Sequence, residues 1–284
     1  MTVEKGYHLN RLLQRLPPGL LVDTDWLQAQ GLSHSRVHDY VKRGWLERLM
    51  PRVYRRPAAA GPVRWELAVV SAQGLVENPF HVGGPTALDL LGLSHFLDLG
   101  RKARVWLYDP GRTAPGWLAR LPLDVDVRLS RRRLFGEAEL GLEWRRLELG
   151  TGRLGGTVDH PVRSEPWDQF MRLAGAERAT LELLEEVGAE VGFHTADKLF
   201  EGLANLRPAV MEELLRQCAS VKAKRLFFFF SDRHGHAWAR RLDAGKFDLG
   251  RGKRQIAKGG RLDPRYQITV PGELLRRGNE SDGG

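Results

Sequence analysis

A single cysteine, Cys218, stands among 284 residues. It excludes an intrachain disulfide and a thiolate zinc cluster, and it fits a reducing compartment. No apolar run reaches the roughly eighteen residues a membrane span needs, and the longest cluster, Leu226 to Phe230, is far too short. The amino terminus lacks the basic start and apolar stretch of a secretory leader. The expected location is therefore cytoplasmic, with no membrane partner. Internal repeats and low-complexity tracts are also missing.

Catalytic signatures are scarce. Ser71, Ser130 and Ser220 have no elbow glycines around them. Gly250-Arg251-Gly252-Lys253 lacks the spacer and the following Ser or Thr of a phosphate loop. Gly150, Gly152 and Gly155 match G-x-G-x-x-G after an expected strand, with Asp168 further on. The extended sequence Gly156-Thr157-Val158-Asp159-His160-Pro161 follows where a dinucleotide site needs a helix, so these glycines read as a turn. His234, His236 and Asp232 share one side of an extended segment, but a fourth metal ligand is not evident, which favours a structural or partner-contact role. Asp89, Glu177 and Lys198 are scattered residues from which a nuclease site could be assembled only by the fold. The expectation is a protein that is not an enzyme and holds neither metal nor cofactor.

What is present is charge at the two ends. The chain is 42% apolar, enough for real cores, and carries a net charge of +9. Residues 1–57 hold ten Lys and Arg against five Asp and Glu, and residues 222–284 hold fifteen against seven. The intervening stretch holds nineteen against twenty-three. A polyanionic partner fits such a distribution, and one basic head does not account for all of it.

The head reads as a winged helix-turn-helix. Leu9, Leu12, Leu13 and Leu16 recur at the helical period, and Pro17 and Pro18 stop that helix. Asp23 and Thr24 can cap a second helix, Asp25 to Gln30, with Gly31 at its left-handed end. Ser33 caps a third, which runs to Arg43 and closes at Gly44. On that third helix Val37, Tyr40 and Val41 form the core stripe. Ser35, Asp39 and Lys42 fall on the opposite side, flanked by Arg36, His38 and Arg43. Trp45 to Leu49 and Arg52 to Arg55 alternate as two strands about Met50-Pro51, a wing that places Arg48, Arg52 and Arg55 to touch phosphates. These residues, Asp39 included as an acceptor for a cytosine amino group, are the expected contacts to double-stranded DNA. The alternative is a solvated helix beside a basic hairpin.

Beyond Pro57-Ala58-Ala59-Ala60-Gly61-Pro62, a boundary, the chain reads as α+β: a mixed α/β body with a helical carboxyl-terminal layer. Helices are expected at Trp65 to Leu75 and Pro85 to Leu91. Strands are expected at Arg104 to Tyr108, Asp124 to Leu129, Leu142 to Leu149 and Thr157 to Val162. Helices follow at Ala176 to Val187, Thr195 to Leu203, Pro208 to Cys218 and Val221 to Phe230, then an extended Tyr266 to Val270. Domains are expected at 1–57 and 58–277, the second with a subdomain break near 150–175, followed by a disordered tail at 278–284.

The head, with Gly31-Leu32-Ser33 and Arg52-Val53-Tyr54, resembles the amino-terminal domain of AbiEi-type antitoxins. Several later strings resemble the same family: Thr86-Ala87-Leu88-Asp89-Leu90-Leu91-Gly92-Leu93, Ala196-Asp197-Lys198-Leu199-Phe200-Glu201-Gly202-Leu203, and Val221-Lys222-Ala223-Lys224-Arg225-Leu226-Phe227. So do Arg233-His234-Gly235-His236-Ala237-Trp238, Gly252-Lys253-Arg254-Gln255 and Leu262 to Pro271. The resemblance covers nearly the whole chain, from about Tyr7 to Pro271, and its carboxyl-terminal strings are the specific part. It departs in the wing, where the family often has a glycine and Arg52 stands here, which bears on the tightness of the turn. The resemblance implies the antitoxin of a type IV toxin–antitoxin or abortive-infection system. Its head would bind inverted repeats in its own promoter and repress the operon. Its carboxyl-terminal part would counter a nucleotidyltransferase-like toxin, directly or through the toxin's target. A ligand-responsive repressor is the alternative, with a large apolar pocket in the acidic middle; a metal-dependent nuclease is a third reading.

The second basic surface is the expected place for antitoxin work. Lys222, Lys224, Arg225, Arg233 and Arg240 lead into Lys253, Arg254, Lys258 and Arg265, with His234 and His236 between. Glycines at 245, 250, 252, 259 and 260 are expected to leave this stretch open and adaptable. A basic loop of this kind suits an acidic protein, RNA or phosphates; a solvated basic face is the other reading.

Overall fold

The computed structural model describes residues 2–58, 61–76, 79–93, 103–148, 151, 153–158 and 169–275. The chain forms two compact units, Met1–Val82 with Leu97–Arg131 and Glu143–Leu173, and Gly83–Phe96 with Arg132–Leu142 and Ala174–Gly284. The boundary expected after residue 57 lies inside the first unit. The expected tail at 278–284 lies outside the described residues, as do 150, 152 and 159–168 in the stretch around the expected subdomain break.

The first unit begins with α1 (Thr2–Arg15), β1 (Leu21–Asp23), α2 (Thr24–Ala29), α3 (His34–Lys42), β2 (Glu47–Met50) and β3 (Val53–Arg55). Leu12, Leu16, Leu27, Leu32, Val37, Tyr40 and Leu46 form its buried core. Each such side chain is worth about 1.5–3 kcal/mol of burial. The caps fall where the sequence puts them: Trp26 N–H donates to Asp23 at 2.9 Å, and Arg36 N–H to Ser33 at 3.4 Å. Gly31 and Gly44 take positive φ of 81° and 76° to end the two helices. The strands form an antiparallel sheet in the order β1-β3-β2. Strand β1 went unseen in the sequence because three residues carry no periodicity. Arg56 donates to Leu13 O at 2.8 Å and Leu16 O at 3.0 Å, so this cation closes the end of α1.

Helix α4 (Trp65–Gly74) packs against β1, where Leu21 N–H donates to Ser71 Oγ at 2.9 Å. Leu67 and Leu75 of this segment join the head core. The rest of the unit is a mixed six-stranded sheet of β4 (His81–Val82), β5 (Arg104–Tyr108), β6 (Asp126–Ser130), β7 (Leu142–Leu147), β8 (Leu154–Val158) and β9 (Phe170–Ala174), in the order β6-β5-β4-β9-β7-β8. β5 and β6 are parallel, as are β4 and β9, while β4–β5 and β7–β8 are antiparallel. β9 escapes a sequence reading because Arg172 interrupts its apolar run, yet the whole strand is buried. Backbone and cation are satisfied separately: the Gln73 amide donates to Phe80 O and Arg172 O at 3.0 and 2.9 Å and accepts from Arg172 N–H at 3.0 Å, while the Arg172 guanidinium donates to Pro79 O. The glycine motif leads into β8 and not a helix, as its extended sequence implies. Of the strand expected at Thr157 to Val162, the last four residues lie outside the described residues.

The second unit holds α5 (Gly84–Leu90), α6 (Ala176–Glu186), α7 (Phe193–Glu201), α8 (Pro208–Gln217), α9 (Val221–His234) and a two-stranded ribbon of β10 (Arg261–Asp263) and β11 (Ile268–Val270). α6 is the hub, packed against α5, α7, α8 and α9. It buries Glu177, Arg178, Glu182 and Glu185, and every one is paired. Arg178 meets Glu182 at 2.9 Å, Glu182 accepts from Gly84 N–H at 3.1 Å, and Glu185 takes Arg132 and Ser220. Arg207 grips Glu177 with its guanidinium at 2.8 and 2.9 Å and its backbone N–H at 2.7 Å. α9 runs one turn past the expected Phe230 and stops at Gly235, whose φ of 63° gives a left-handed cap. Its Phe227 to Phe230 are buried core.

Candidate nucleic-acid interface

Helix α3 has one side in the core and the other in solvent. Val37 and Tyr40 are buried and Val41 half-buried, while Ser35, His38, Asp39, Lys42 and Arg43 are exposed and Arg36 lies between. Burial raises the pKa of the Tyr40 hydroxyl, against the pull of the nearby Arg36 and Arg43. Among the described residues that hydroxyl has no hydrogen-bond partner, so it serves the helix as an apolar anchor.

The wing is set by tertiary pairing. Asp23 lies opposite Val53 in the β1–β3 register, which carries Thr24 alongside Arg52. The Arg52 carbonyl accepts from the Thr24 N–H at 3.0 Å and the Thr24 hydroxyl at 3.4 Å. Arg52 sits at φ 68°, the left-handed region where glycine is at ease and a residue with a Cβ costs roughly 1–2 kcal/mol. The turn is therefore as tight as a glycine would make it, held by an arginine. The Arg52 guanidinium reaches Asp25 at 2.6 Å, both side chains being largely exposed. Arg48 is exposed on β2. Arg55 is different: it is paired with Glu47 at 2.6 Å and its side chain is only 13% exposed, so it braces the hairpin.

Between α2, α3 and the wing lies a cavity of about 430 Å³, lined by Arg48, Arg52, His34, Gln28, Tyr54, Thr24 and Asp25. Gln28 and His34 join across it at 2.9 Å. The last five of these residues were invisible as a group in the sequence. The one available signal was an arginine at a turn that favours glycine.

The second basic set divides sharply. Lys224 and Arg225 are buried, at 6% and 3% exposure, and so are not displayed to a partner. Arg225 donates to Leu249 O at 2.6 Å, Gly252 O at 2.7 Å and Gln267 O at 3.1 Å. The glycine-rich loops expected to be open are thus bolted to α9. Lys222 donates to Val187 O at 3.0 Å, and burial lowers its pKa. Arg233 and His234 both meet Asp197 at 2.8 Å. Burial would raise the Asp197 carboxyl, but those two partners hold it below the usual range. His236 bonds Phe200 O at 2.8 Å and stacks between His234 and Trp238. The histidine pair is thus engaged in packing, and among the described residues no cluster of three metal-ligating side chains occurs. Arg240, Lys253, Arg254, Lys258 and Arg265 remain exposed, Arg265 paired with Asp232 at 2.6 Å. Of the scattered nuclease candidates, Glu177 is taken by Arg207 and Lys198 meets Glu201 at 3.0 Å.

No helix among the described residues is long and apolar enough to cross a membrane. No curated protein matches the sequence. The fold is similar to the crystal structure of the RV2827C protein from Mycobacterium tuberculosis, with a TM-score of 0.57 at 17% identity, covering 96% of this chain and 94% of that chain. A family described as "Transcriptional regulator, AbiEi antitoxin N-terminal domain" matches residues 5–99. A second, "Transcriptional regulator, AbiEi antitoxin, Type IV TA system", matches residues 102–271. Together these matches span nearly the whole chain, and they describe regulators, not enzymes. The chain belongs to the AbiEi antitoxin family, the transcriptional regulators of type IV toxin–antitoxin systems.

Proposed function

We propose that this protein represses its own operon through the winged head and neutralises a nucleotidyltransferase-like toxin through its carboxyl-terminal part. The observation that carries the first half is the display on α3: Ser35, His38, Asp39 and Lys42 face solvent over a buried Val37–Tyr40 stripe, with Arg48 and Arg52 of the wing beside them. A helix so presented enters a major groove, its short polar residues against base edges and its cations against phosphates. Arg36 and Arg43 extend the basic rim. Arg55 contributes by stiffening the hairpin. The inverted repeats of the promoter are the expected site, and phosphate contacts make binding fall steeply with salt.

The second half rests on family membership and on the exposed Arg240, Lys253, Arg254, Lys258 and Arg265. The toxin, or the target it modifies, is the partner this surface would meet. Lys222, Lys224, Arg225, Arg233, His234 and His236 support it from within.

A ligand-responsive repressor calls for a large apolar pocket in the acidic middle. Among the described residues, one cavity of about 640 Å³ lies beside α9 and is lined by Asp232, Arg240, Asp243 and Arg265 as well as Phe228 and Tyr266. It does not favour that reading.

The test is co-expression with the neighbouring gene. The wild-type chain and a Lys42→Ala/Arg48→Ala variant should both rescue growth, and only the wild type should repress the promoter. A harmless neighbour, or a wild-type chain that rescues nothing, overturns the antitoxin half.

A further inference from the structure

We propose that the cavity between α2, α3 and the wing seats one backbone phosphate of DNA, and that Asp25 is a built-in counter-ion which that phosphate displaces from Arg52. The inference rests on the DNA-binding reading above and assigns a site within it. The cavity joins the amino end of α3 to the turn of the wing, the two parts of the head that a groove and its flanking backbone would meet together. Its walls supply two guanidinium groups, Arg48 and Arg52, with the His34 ring, the Gln28 amide and the Tyr54 side chain alongside. That set suits a tetrahedral oxyanion.

Asp25 is the one carboxylate in the lining, and it already occupies Arg52 at 2.6 Å. An ion pair with both partners about 70% exposed adds little stability, so fold maintenance does not account for it. The Arg52 backbone is fastened separately, by Thr24 through two bonds to its carbonyl. The left-handed turn therefore persists when Asp25 lets go, and the guanidinium is free to change partners. Before DNA arrives Asp25 neutralises the wing. Once a phosphate enters, the carboxylate is a like charge beside it. The arrangement lowers affinity for any duplex and leaves base contacts on α3 to decide which sequence is held.

The experiment measures fluorescence anisotropy of full-length protein on two labelled duplexes, the operon promoter and an unrelated sequence, from 50 to 300 mM KCl. Asp25→Asn should bind both duplexes tighter, by about fivefold for one screened charge pair at contact. Its salt dependence should steepen by up to about 0.9 in log–log slope, the equivalent of one more cation. Arg52→Gly should make the slope shallower by about the same amount. The Asp25→Asn/Arg52→Gly double variant should gain clearly less over Arg52→Gly than Asp25→Asn gains over wild type, because the part of the effect that acts through Arg52 is lost and only the direct repulsion of the phosphate remains; equal gains in the two backgrounds would overturn the counter-ion role. If wild type binds and Asp25→Asn, with unchanged melting, binds equally or more weakly, the counter-ion proposal falls and the DNA-binding reading stands. If wild type binds neither duplex, both fall.

Discussion

Replacing Arg225 by Met separates a structural from a partner-facing role for the second basic segment. The side chain is 3% exposed and donates to three backbone carbonyls, Leu249 and Gly252 in one loop and Gln267 in the turn between β10 and β11. Methionine fills much of the same volume but offers no donor. A hydrogen bond to a charged group is worth about 1.5–3 kcal/mol, though three bonds to one guanidinium do not add fully and loop carbonyls regain some water. The expected loss is about 3–4 kcal/mol, below the sum of three such bonds. In a chain of this size that lowers the melting temperature by roughly 10 °C. Arg254→Ala, at an exposed site, should stay within about 0.5 kcal/mol. Thermal unfolding followed by circular dichroism measures both. Limited proteolysis should cut Arg225→Met faster between residues 244 and 260, where the loops lose their anchor. A loss below about 1 kcal/mol for Arg225→Met, or an equal loss for Arg254→Ala, would refute the reasoning.

Glu177→Gln should cost about 2–3 kcal/mol, since the buried carboxylate accepts three bonds from Arg207. Burial alone would raise the Glu177 pKa, but those bonds outweigh it and hold the carboxyl below its ordinary value. Its stabilising contribution is therefore complete above the unfolded carboxylate pKa near about 4.3 and is lost as pH falls through the lower folded value. Acid titration of stability should accordingly be flatter in the variant than in wild type. Tyr40→Phe should leave stability unchanged or raise it by up to about 1 kcal/mol, because it removes a buried hydroxyl without a partner. Denaturant unfolding measures that, and affinity for DNA should not change.

The parts of the fold legible in the sequence are those whose signal is local. Asp23, Gly31, Ser33 and Gly44 mark the helix-turn-helix by capping chemistry alone, and Val37 and Tyr40 mark the inward side of α3 by periodicity. Strands β1, β4 and β10 are too short to show a period, and β9 is broken by Arg172, whose buried guanidinium finds an acceptor in Pro79 O, far away in the sequence. The same divide runs through the site. Lys42 and Arg48 are readable as exposed because their neighbours set the register. Arg225 looks like a surface residue until three carbonyls arrive from residues 249–267. Asp25 and Arg52 meet only because β1 pairs with β3. Tertiary pairing also changes how the two halves should be tested. α4 shares the head core through Leu67 and Leu75, so cutting after residue 57 would expose apolar surface, and point substitutions are the cleaner tool.

The central claim is that α3 and the wing hold DNA. It is tested most directly by titrating the operon's own promoter with wild-type and Lys42→Ala/Arg48→Ala protein across a salt series. The account predicts tight wild-type binding that weakens steeply with salt, and a variant weaker by at least tenfold with a slope shallower by about 1.8. Equal affinity and equal slope for the two proteins would contradict it.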